Sequence, residues 1–301
     1  MPKHPSYAAN TRQMAWTPDM HMLAMTFPDF NPIALEIGPF AVKWYGLAYM
    51  AGLLLGWMYI RRLLDESNLW PNGAAPFDVA RTDDLLLYMT LGVVLGGRLG
   101  FVLFYEPGHY FAHPLEIPMV WKGGMAFHGA LLGCGLAIWL FARAYKVSVL
   151  SSMDLCAATV PLGLFFGRMA NFINGELWGR PTDVSWGMVF PEAQRIYPSL
   201  IPTPRHPSQL YEAALEGLVL FVFLRLMTHR LGALQTPGIV TGLFLVGYGL
   251  ARSLCELFRS PHAGHFLNIG WLTAGIAYSI PMVLLGLWFI WHARQRAALA
   301  A

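Results

Sequence analysis

The stretch LCAATVPLGLFFGRMANFINGELWGR, residues 155–180, contains the two properties on which the fold depends. Its first part is apolar and suits a membrane helix, whereas its second part carries several polar side chains at the end of that run. These are Arg168, Asn171, Asn174, Glu176 and Arg180. Such side chains are costly in hydrocarbon, so they face the interior of a helix bundle or a water-filled cavity. The stretch therefore predicts a membrane-embedded bundle with polar chemistry at one end.

The composition of the whole chain agrees with a membrane protein. Of its 301 residues, 56% are hydrophobic and only 12% are charged, whereas soluble domains carry roughly a quarter charged residues. This composition leaves too little polar surface to coat a water-soluble globule. The formal net charge of +3 is too small to indicate nucleic-acid binding.

The three cysteines indicate neither a metal site nor a disulfide framework. Cys134, Cys156 and Cys255 lie inside apolar segments, far apart in the sequence, and form no CxxC pair. We therefore expect buried free thiols, no metal and no cofactor.

Seven stretches are apolar enough to cross a bilayer, which requires about 20 mostly apolar residues. Because backbone groups in lipid must be satisfied within each segment, we predict an all-α polytopic fold with about seven transmembrane helices. The predicted spans are 41–60, 84–105, 124–142, 151–170, 210–228, 237–257 and 271–291. Gly92, Gly96 and Gly100 recur every four residues in the second span, which predicts close helix packing.

The same pattern divides the chain into three parts. Residues 1–40 are predicted to form a polar, partly disordered N-terminal extension without a removable signal peptide. Residues 41–292 form the seven-helix domain, and 293–301 form a cytoplasmic tail. The insert 171–209 is rich in Pro and Trp without a helical period, so we expect it to form a small cap outside the membrane.

The distribution of Lys and Arg predicts the orientation of the bundle. These residues are denser in one set of connecting segments, namely 61–83, 143–150, 225–236 and 292–301. The positive-inside rule then assigns that set to the cytoplasm. It follows that the N-terminus and the cap lie in the periplasm and the C-terminus lies in the cytoplasm.

With this topology, polar residues from five helices fall near the periplasmic end of the bundle. They are Tyr45, His128, Arg168, Asn171, His206, Arg252, Glu256 and Arg259. Arg252, Glu256 and Arg259 share one helix face because they are spaced four and three apart. Arg98 lies deeper, within the second span. At such depth, Arg98, Arg168 and Arg252 need carboxylates, carbonyls or an anionic ligand as partners.

Simpler roles are open for most of these residues, namely headgroup anchoring, ion pairing or loop packing. They apply to Tyr45, His128, Arg180, His206, Glu256 and Arg259. The pair Arg168 and Asn171, continued by Asn174 and Glu176, exceeds what anchoring requires and favours a ligand site.

Several arginines at the level of the outer leaflet, with few free carboxylates, indicate an anion site. A guanidinium group binds phosphate with a planar fork of donors and keeps its charge when partly dehydrated. The phosphate available at that depth belongs to a phospholipid headgroup. The residues alone therefore predict a phospholipid-binding membrane protein and favour an enzyme, without defining its reaction.

The segment GRMANFINGELWGR (167–180) closely resembles the signature of the bacterial prolipoprotein diacylglyceryl transferases. Five further blocks resemble the other blocks of that family, in the family's order. They are KWYGLAY (43–49), GGRLGFVLFY (96–105), GGMAFHGALLG (123–133), RHPSQLYEAALEG (205–217) and GYGLARSLCELFR (247–259). The resemblance covers about 40–291. The first forty residues look longer than is usual in the family, and 181–204 look variable.

The resemblance implies a reaction in which the diacylglyceryl group of phosphatidylglycerol moves to the lipobox cysteine thiol of a preprolipoprotein. A thioether forms and glycerol phosphate leaves, which is the first step of bacterial lipoprotein maturation. It implies a multi-pass protein of the inner membrane with its active site toward the periplasm. The implied partners are phosphatidylglycerol, the preprolipoprotein signal peptide and membrane lipids, with no nucleic acid.

The resemblance also suggests roles for individual residues. Arg168 and Arg252 are the candidates for holding the leaving phosphate. His128 is the candidate general base, and Tyr45 is a possible helper. The candidate phosphatidylglycerol-binding residues are Arg98, Arg168, Asn171, Asn174, Gly175, Glu176, Gly179, His206, Glu256 and Arg259.

Two other classes of protein offer alternatives. A phospholipid or anion transporter also uses intramembrane arginines, but it usually binds its substrate near the midplane and often has a duplicated half. Neither feature is evident in this sequence. An intramembrane hydrolase or protease needs a placed serine, paired aspartates or a metal site, and the motifs GxSxG and HExxH are absent.

Overall fold

The computed structural model of this chain describes residues 25–28, 30–38, 40–196, 202–260 and 273–300. Within these ranges the chain is mainly helical. The helices are α1 (Trp44–Asp65), α2 (Arg81–Phe104), α3 (Pro107–Ala112), α4 (Phe127–Tyr145), α5 (Val149–Ile173), α6 (Pro191–Ile196), α7 (Ser208–Glu212), α8 (Leu220–Arg230), α9 (Ile239–Glu256) and α10 (Ala274–Ala300). A π-helical segment, Ala213–Val219, joins α7 to α8.

Five of the helices in the described residues are long and apolar enough to cross a membrane, namely α2, α4, α5, α9 and α10. The prediction of a helical, polytopic membrane protein is confirmed at this level. The first and fifth predicted spans also form helices but do not meet the same criteria. In α1, aromatic residues together with Arg61 and Arg62 lower the mean hydropathy, and the fifth span is divided into α7, the π-helical segment and α8.

The glycines of the second span pack α2 directly against α4. A Cβ at Gly96 would lie 2.4 Å from the carbonyl oxygen of Gly129, and a Cβ at Gly133 would lie 2.0 Å from that of Gly92. Gly100 faces Gly129 in the same way. The pairs run in opposite directions along the two helices, so α2 and α4 are antiparallel. The predicted close packing at these glycines is confirmed.

Other helix pairs follow the same antiparallel pattern. Gly52 of α1 faces Gly163 of α5, where a Cβ would lie 3.0 Å from the Gly163 Cα. Gly242 of α9 faces Gly286 of α10, with a Cβ 2.7 Å from its carbonyl oxygen. Asp154 near the start of α5 contacts the start of α9, so the ends of α5 and α9 lie together with the start of α1 at one end of the bundle, here called the site end.

The main hydrophobic core lies at the opposite end of the bundle. Its fully buried members include Leu63, Phe141, Leu155, Leu224 and Val240, from the ends of α1, α4, α5, α8 and α9 that point away from the site end. Close packing at this end anchors the helices and leaves the polar side chains to determine the arrangement at the site end.

A buried carboxylate joins α5 to α9 inside this core. Asp154 accepts hydrogen bonds from the Gly238 N–H (2.6 Å), the Thr241 N–H (2.7 Å) and the Thr241 hydroxyl (2.6 Å). The two N–H groups are free backbone donors at the beginning of α9, which water would otherwise have to satisfy. The carboxylate also lies at the positive end of the helix dipole.

A small cap covers the site end. Its core consists of Phe172, Met188, Phe190 and Ala193, with Phe27 packed against it. Most of these residues belong to the insert 171–209, of which 197–201 lie outside the described residues. Its helix α6 was not predicted, because a six-residue helix has no detectable period.

The N-terminal segment also contributes to the cap, which the sequence did not predict. Strand β1 (Met25–Thr26) pairs in parallel with β4 (Met188–Val189), and β2 (Ile33–Ile37) forms a hairpin with β3 (Phe40–Lys43). Part of the predicted polar extension 1–40 is therefore folded, while 1–24, 29 and 39 lie outside the described residues. At the other terminus, most of the predicted tail 293–301 continues α10 to Ala300.

Replacing Gly96 with alanine is expected to separate α2 from α4. The new methyl group would overlap the Gly129 carbonyl, and overpacking of this kind costs about 1–3 kcal/mol. The thermal midpoint of the purified protein in detergent should fall accordingly.

Gly135→Ala is the matched control, because Gly135 lies on α4 and a methyl group added there would meet no atom within 4 Å. This variant should be as stable as the wild type or slightly more stable. Equal midpoints for the two variants would contradict direct backbone packing between α2 and α4.

Candidate active site

Three arginines surround one glutamate at the site end. Glu212 Oε1 accepts hydrogen bonds from Arg252 Nη1 (2.8 Å) and Arg259 Nη1 (3.0 Å). Glu212 Oε2 lies 2.9 Å from Arg168 Nε, close enough for an ion pair, although the two groups are not aligned as a hydrogen bond. A single carboxylate thus joins α5, α7 and the end of α9.

Two further carboxylates complete the arginine–glutamate cluster, which comprises Arg168, Glu212, Glu216, Arg252, Glu256 and Arg259. Glu256 Oε2 accepts a hydrogen bond from Arg252 Nη2 at 2.7 Å. Glu216 is held more loosely, at 3.5 Å from Arg168 Nη2 and 3.7 Å from Arg252 Nη1. Three guanidinium groups therefore face three carboxylates, and their formal charges cancel.

The members of the cluster differ in their access to solvent. The side chains of Glu212 and Glu216 are 1% and 0% exposed, whereas those of Arg168 and Arg252 are 18% and 14% exposed. A ligand would therefore meet the guanidinium groups first. Because carboxylates hold these groups from behind, their positions are set before any ligand arrives.

A second group of polar side chains lies one helical turn from Arg168. The Tyr45 hydroxyl donates to Glu176 Oε1, and Asn171 Nδ2 donates both to the Tyr45 oxygen and to Glu176 Oε1, the latter at 2.9 Å. Gly175 makes this possible with a φ of +65°, a conformation that glycine adopts without steric cost. The turn folds Glu176 back onto the end of α5.

Gln209 connects the two groups. Its Nε2 donates to the Glu176 carbonyl oxygen at 2.5 Å, and its position on α7 is one turn before Glu212. Arg168 and Asn171 are similarly one turn apart on α5, so both groups share the same faces of two helices. The polar residues at the end of α5 therefore form one continuous site.

The cap closes over this site where three backbone segments meet. The Gly179 N–H donates to the His206 carbonyl (2.9 Å), and the Arg180 N–H donates to the Phe258 carbonyl (2.8 Å). A Cβ at Gly179 would lie 2.5 Å from the Phe258 carbonyl oxygen. Arg180 Nε also donates to the Arg259 carbonyl at 2.8 Å. Gly179 thus permits the close approach that holds Arg259 in place.

His206 packs inside the cap. Its Nδ1 lies 3.1 Å from the Tyr211 hydroxyl, and its ring contacts Phe258 at 5.1 Å between centroids. Burial lowers the pKa of His206 below its ordinary value, so the ring is neutral at pH 7. Asn174, also a predicted binding residue, occupies the C-cap of α5, where its N–H donates to the Ala170 carbonyl.

Arg98 is held away from the arginine–glutamate cluster by backbone carbonyls. Its guanidinium group donates to Ile117 (2.7 Å), Gly123 (2.6 Å), Gly124 (3.2 Å) and Glu116 (2.7 Å). The side chain therefore fastens the loop between α2 and α4. Of the partners considered for a buried arginine, Arg98 uses carbonyls, whereas Arg168 and Arg252 use carboxylates.

His128 stands at the start of α4 on an exposed surface. Its ring contacts Tyr278 of α10 edge-on, with 5.6 Å between the ring centroids. In the part of the chain that the structure describes, no hydrogen bond joins it to the arginine–glutamate cluster. Its position at the site end agrees with the sequence prediction, while its chemical role stays a prediction.

Glu256 was predicted from the sequence, whereas the other two carboxylates of the cluster were missed. The expectation of few carboxylates beside the arginines is wrong, because Glu212 and Glu216 lie among them. A signal was present, since two glutamates four residues apart in a predicted span need cationic partners for the same reason as the arginines. Gln209 gave no comparable signal, because an amide before a span start is common.

These features define a capped helical bundle of the membrane-protein class, with a charged and partly exposed site at one end. Comparison with known proteins supports the assignment to a membrane-protein family. The profile of the prolipoprotein diacylglyceryl transferase family matches residues 32–292. The chain belongs to this family.

Two relatives show how far the similarity extends. The phosphatidylglycerol–prolipoprotein diacylglyceryl transferase of Rhizobium meliloti is 51% identical over 277 residues, which cover 92% of this chain and 96% of that protein. The protein of the same name from Rhodopseudomonas palustris is 52% identical over 270 residues, which cover 89% and 91% respectively.

Arg98→Gln is expected to loosen the loop between α2 and α4. The substitution removes charged donors from four partly buried hydrogen bonds to carbonyls, and a hydrogen bond to a charged group contributes about 1.5–3 kcal/mol. The thermal midpoint should fall, and residues 106–126 should become sensitive to limited proteolysis. Arg143→Gln is the control, since Arg143 is exposed and stacks on Trp139. An unchanged cleavage pattern in Arg98→Gln would contradict this assignment.

Proposed function

We propose that this enzyme transfers the diacylglyceryl group of phosphatidylglycerol to the lipobox cysteine thiol of a preprolipoprotein. The sulfur forms a bond to the glyceryl carbon, the bond from that carbon to the phosphate oxygen breaks, and glycerol phosphate leaves with the electron pair. Family membership and the names of its relatives support this reaction. The observation in the site that carries it is the pair of partly exposed guanidinium groups of Arg168 and Arg252, fixed by Glu212.

We place the protein in the bacterial cytoplasmic membrane, with the site end toward the periplasm. The apolar helices support the membrane location, and the density of Lys and Arg in the opposite connections supports the orientation. In this arrangement α1 and the α7–α8 helix complete seven membrane helices around the site. The lipid substrate then reaches the arginines from the outer leaflet.

The two accessible arginines would stabilise the departing phosphate. As the carbon–oxygen bond breaks, the phosphate gains negative charge, and fixed positive groups at that point are usually the largest single contribution to catalysis. Arg168 and Arg252 each use part of their donors on carboxylates and keep an exposed edge. Both can therefore bind phosphate without moving from their supports.

The acceptor thiol must lose its proton before it attacks. Its ordinary pKa is about 8.5, and the positive potential of the arginines would lower it. His128 is the proposed proton acceptor by its chemistry and its position at the site end. Tyr45 is the proposed helper, and its hydroxyl is oriented by Asn171 and Glu176.

The remaining residues would shape the pocket for the lipid headgroup. Asn171 and Glu176 present polar atoms beside Arg168, and Glu256 orients Arg252. The other members of the proposed headgroup pocket are Asn174, Gly175, Gly179, His206 and Arg259. Arg98 would act at a distance, by holding the loop that precedes His128.

Removing either accessible arginine should abolish most of the transfer. We expect Arg168→Ala and Arg252→Ala to lower kcat/KM about 100-fold or more, as for loss of a group that stabilises transition-state charge. The assay follows the mass of a lipobox peptide incubated with the purified protein and phosphatidylglycerol.

Arg143→Ala is the control for these variants, because Arg143 lies on the exposed surface of α4. Near-normal thioether formation by both site variants would refute the phosphate clamp. Lipid scrambling by the wild type without thioether product would instead favour the transporter alternative.

His128→Asn should slow the reaction most at low pH. Loss of a general base typically costs about 100-fold or more, and the deficit should shrink as the pH approaches the thiol's own pKa of about 8.5. The measurement is the pH–rate profile, with His113→Asn as control because His113 lies in the exposed loop after α3. A profile parallel to that of the wild type would exclude His128 as the base.

A further inference from the structure

We propose that Glu216 is a displaceable counter-ion of the phosphate clamp. It neutralises Arg168 and Arg252 while the site holds no lipid, and it yields these contacts to the phosphate of the incoming phospholipid. This inference rests on the proposed function, because it concerns how the same site admits its anionic substrate.

The first support is the contrast between two glutamates on one helix. Glu212 makes three contacts of 2.8–3.0 Å with Arg168, Arg252 and Arg259. Glu216 lies no closer than 3.5 Å to either of its arginines. Its Oε1 atom, like Glu212 Oε2, is buried and has no hydrogen-bond partner in the described residues, so the contrast between the two glutamates lies in their distances. Glu212 is therefore a fixed support, and Glu216 is an incompletely satisfied neighbour of the same cations.

The second support is the charge balance of the cluster. With three carboxylates opposite three arginines, the described members of the cluster carry no net formal charge, so none is left over for a phosphodiester anion. An anion that binds there must compete with one of the carboxylates for guanidinium donors. The carboxylates of Glu212 and Glu256 lie 2.7–3.0 Å from guanidinium nitrogens. Glu216 lies farther away, so it is the carboxylate that competes least strongly with an incoming anion.

The third support is the geometry of access. Glu216 is fully buried, whereas Arg168 and Arg252 expose part of their side chains. The lipid phosphate would therefore reach Arg168 and Arg252 from their exposed part and compete there with Glu216 for the same guanidinium groups.

The backbone behind Glu216 limits how closely its carboxylate can approach the arginines. Gly217 packs so tightly on α5 that a Cβ would lie 2.7 Å from the Phe165 Cβ. The surrounding segment is π-helical, a rare geometry that occurs frequently at functional sites. The carboxylate of Glu216 therefore keeps its distance from the cations, and its contacts stay weak.

Removing the charge of Glu216 should strengthen lipid binding. Glu216→Gln keeps the shape of the side chain, so the KM for phosphatidylglycerol in mixed micelles should fall about three- to tenfold, a change of roughly 1 kcal/mol. The inhibition constant of glycerol phosphate should fall by a similar factor. Glu216→Ala removes the same charge and serves as a second variant if the glutamine protein does not fold.

Two variants provide the contrast that a merely structural role would not produce. Glu212→Gln, one turn away and equally buried, should raise the KM and lower kcat, because it releases the three arginines. Glu216→Asp keeps the charge and should not lower the KM. Folding of each variant is verified by its thermal midpoint.

The outcomes separate this inference from the proposed function. If the wild type forms no thioether with phosphatidylglycerol and a lipobox peptide, the proposed function fails. If the wild type is active but Glu216→Gln or Glu216→Ala leaves the KM and the inhibition constant unchanged or raises them, the counter-ion role fails while the proposed function stands.

Discussion

The ion pairs of Glu212 are the interaction on which the site depends. A carboxylate or guanidinium group without a partner is expensive at membrane depth, and breaking a buried pair costs about 3–5 kcal/mol. Glu212 satisfies Arg168, Arg252 and Arg259 together, so it gathers three separate segments at one point. The loop after α9 then lies close enough for Gly179 and Arg180 to build the cap on it.

Much of the fold could be predicted from the sequence, because membrane helices are selected by hydropathy and length. The glycines of α2 also indicated their packing correctly, since only small residues allow such an approach. Strands β1 and β2 escaped detection because they are short and stabilised by pairing with residues distant in sequence or by a tight hairpin. The fifth span contains a π-helical segment whose Gly217 packs on Phe165, a contact between distant residues that no local pattern reveals.

For the site, the sequence predicted which arginines lie within the spans better than it predicted which way their side chains point. Arg98, Arg168 and Arg252 all needed partners because of their depth, but the identity of each partner depends on which way the side chain points. Arg98 donates to backbone carbonyls. Every residue carries a carbonyl, so the sequence does not mark which ones an arginine will contact. Arg168 and Arg252 found Glu212, whose own burial was visible in the sequence as a charge within an apolar span. Reading acidic and basic residues of the spans together would have identified the pairing.

Asp154 and Glu212 together restrict how the bundle can open sideways. Asp154 ties the beginnings of α5 and α9, and Glu212 ties both helices again near their other ends. The two ties are separated by 11 to 14 residues, which corresponds to roughly 17–21 Å along the helices. Acyl chains that passed between α5 and α9 would have to break one of these two ties. We therefore expect a diacyl substrate and its lipidated product to avoid this seam, because opening it costs a buried ion pair or the hydrogen bonds of Asp154.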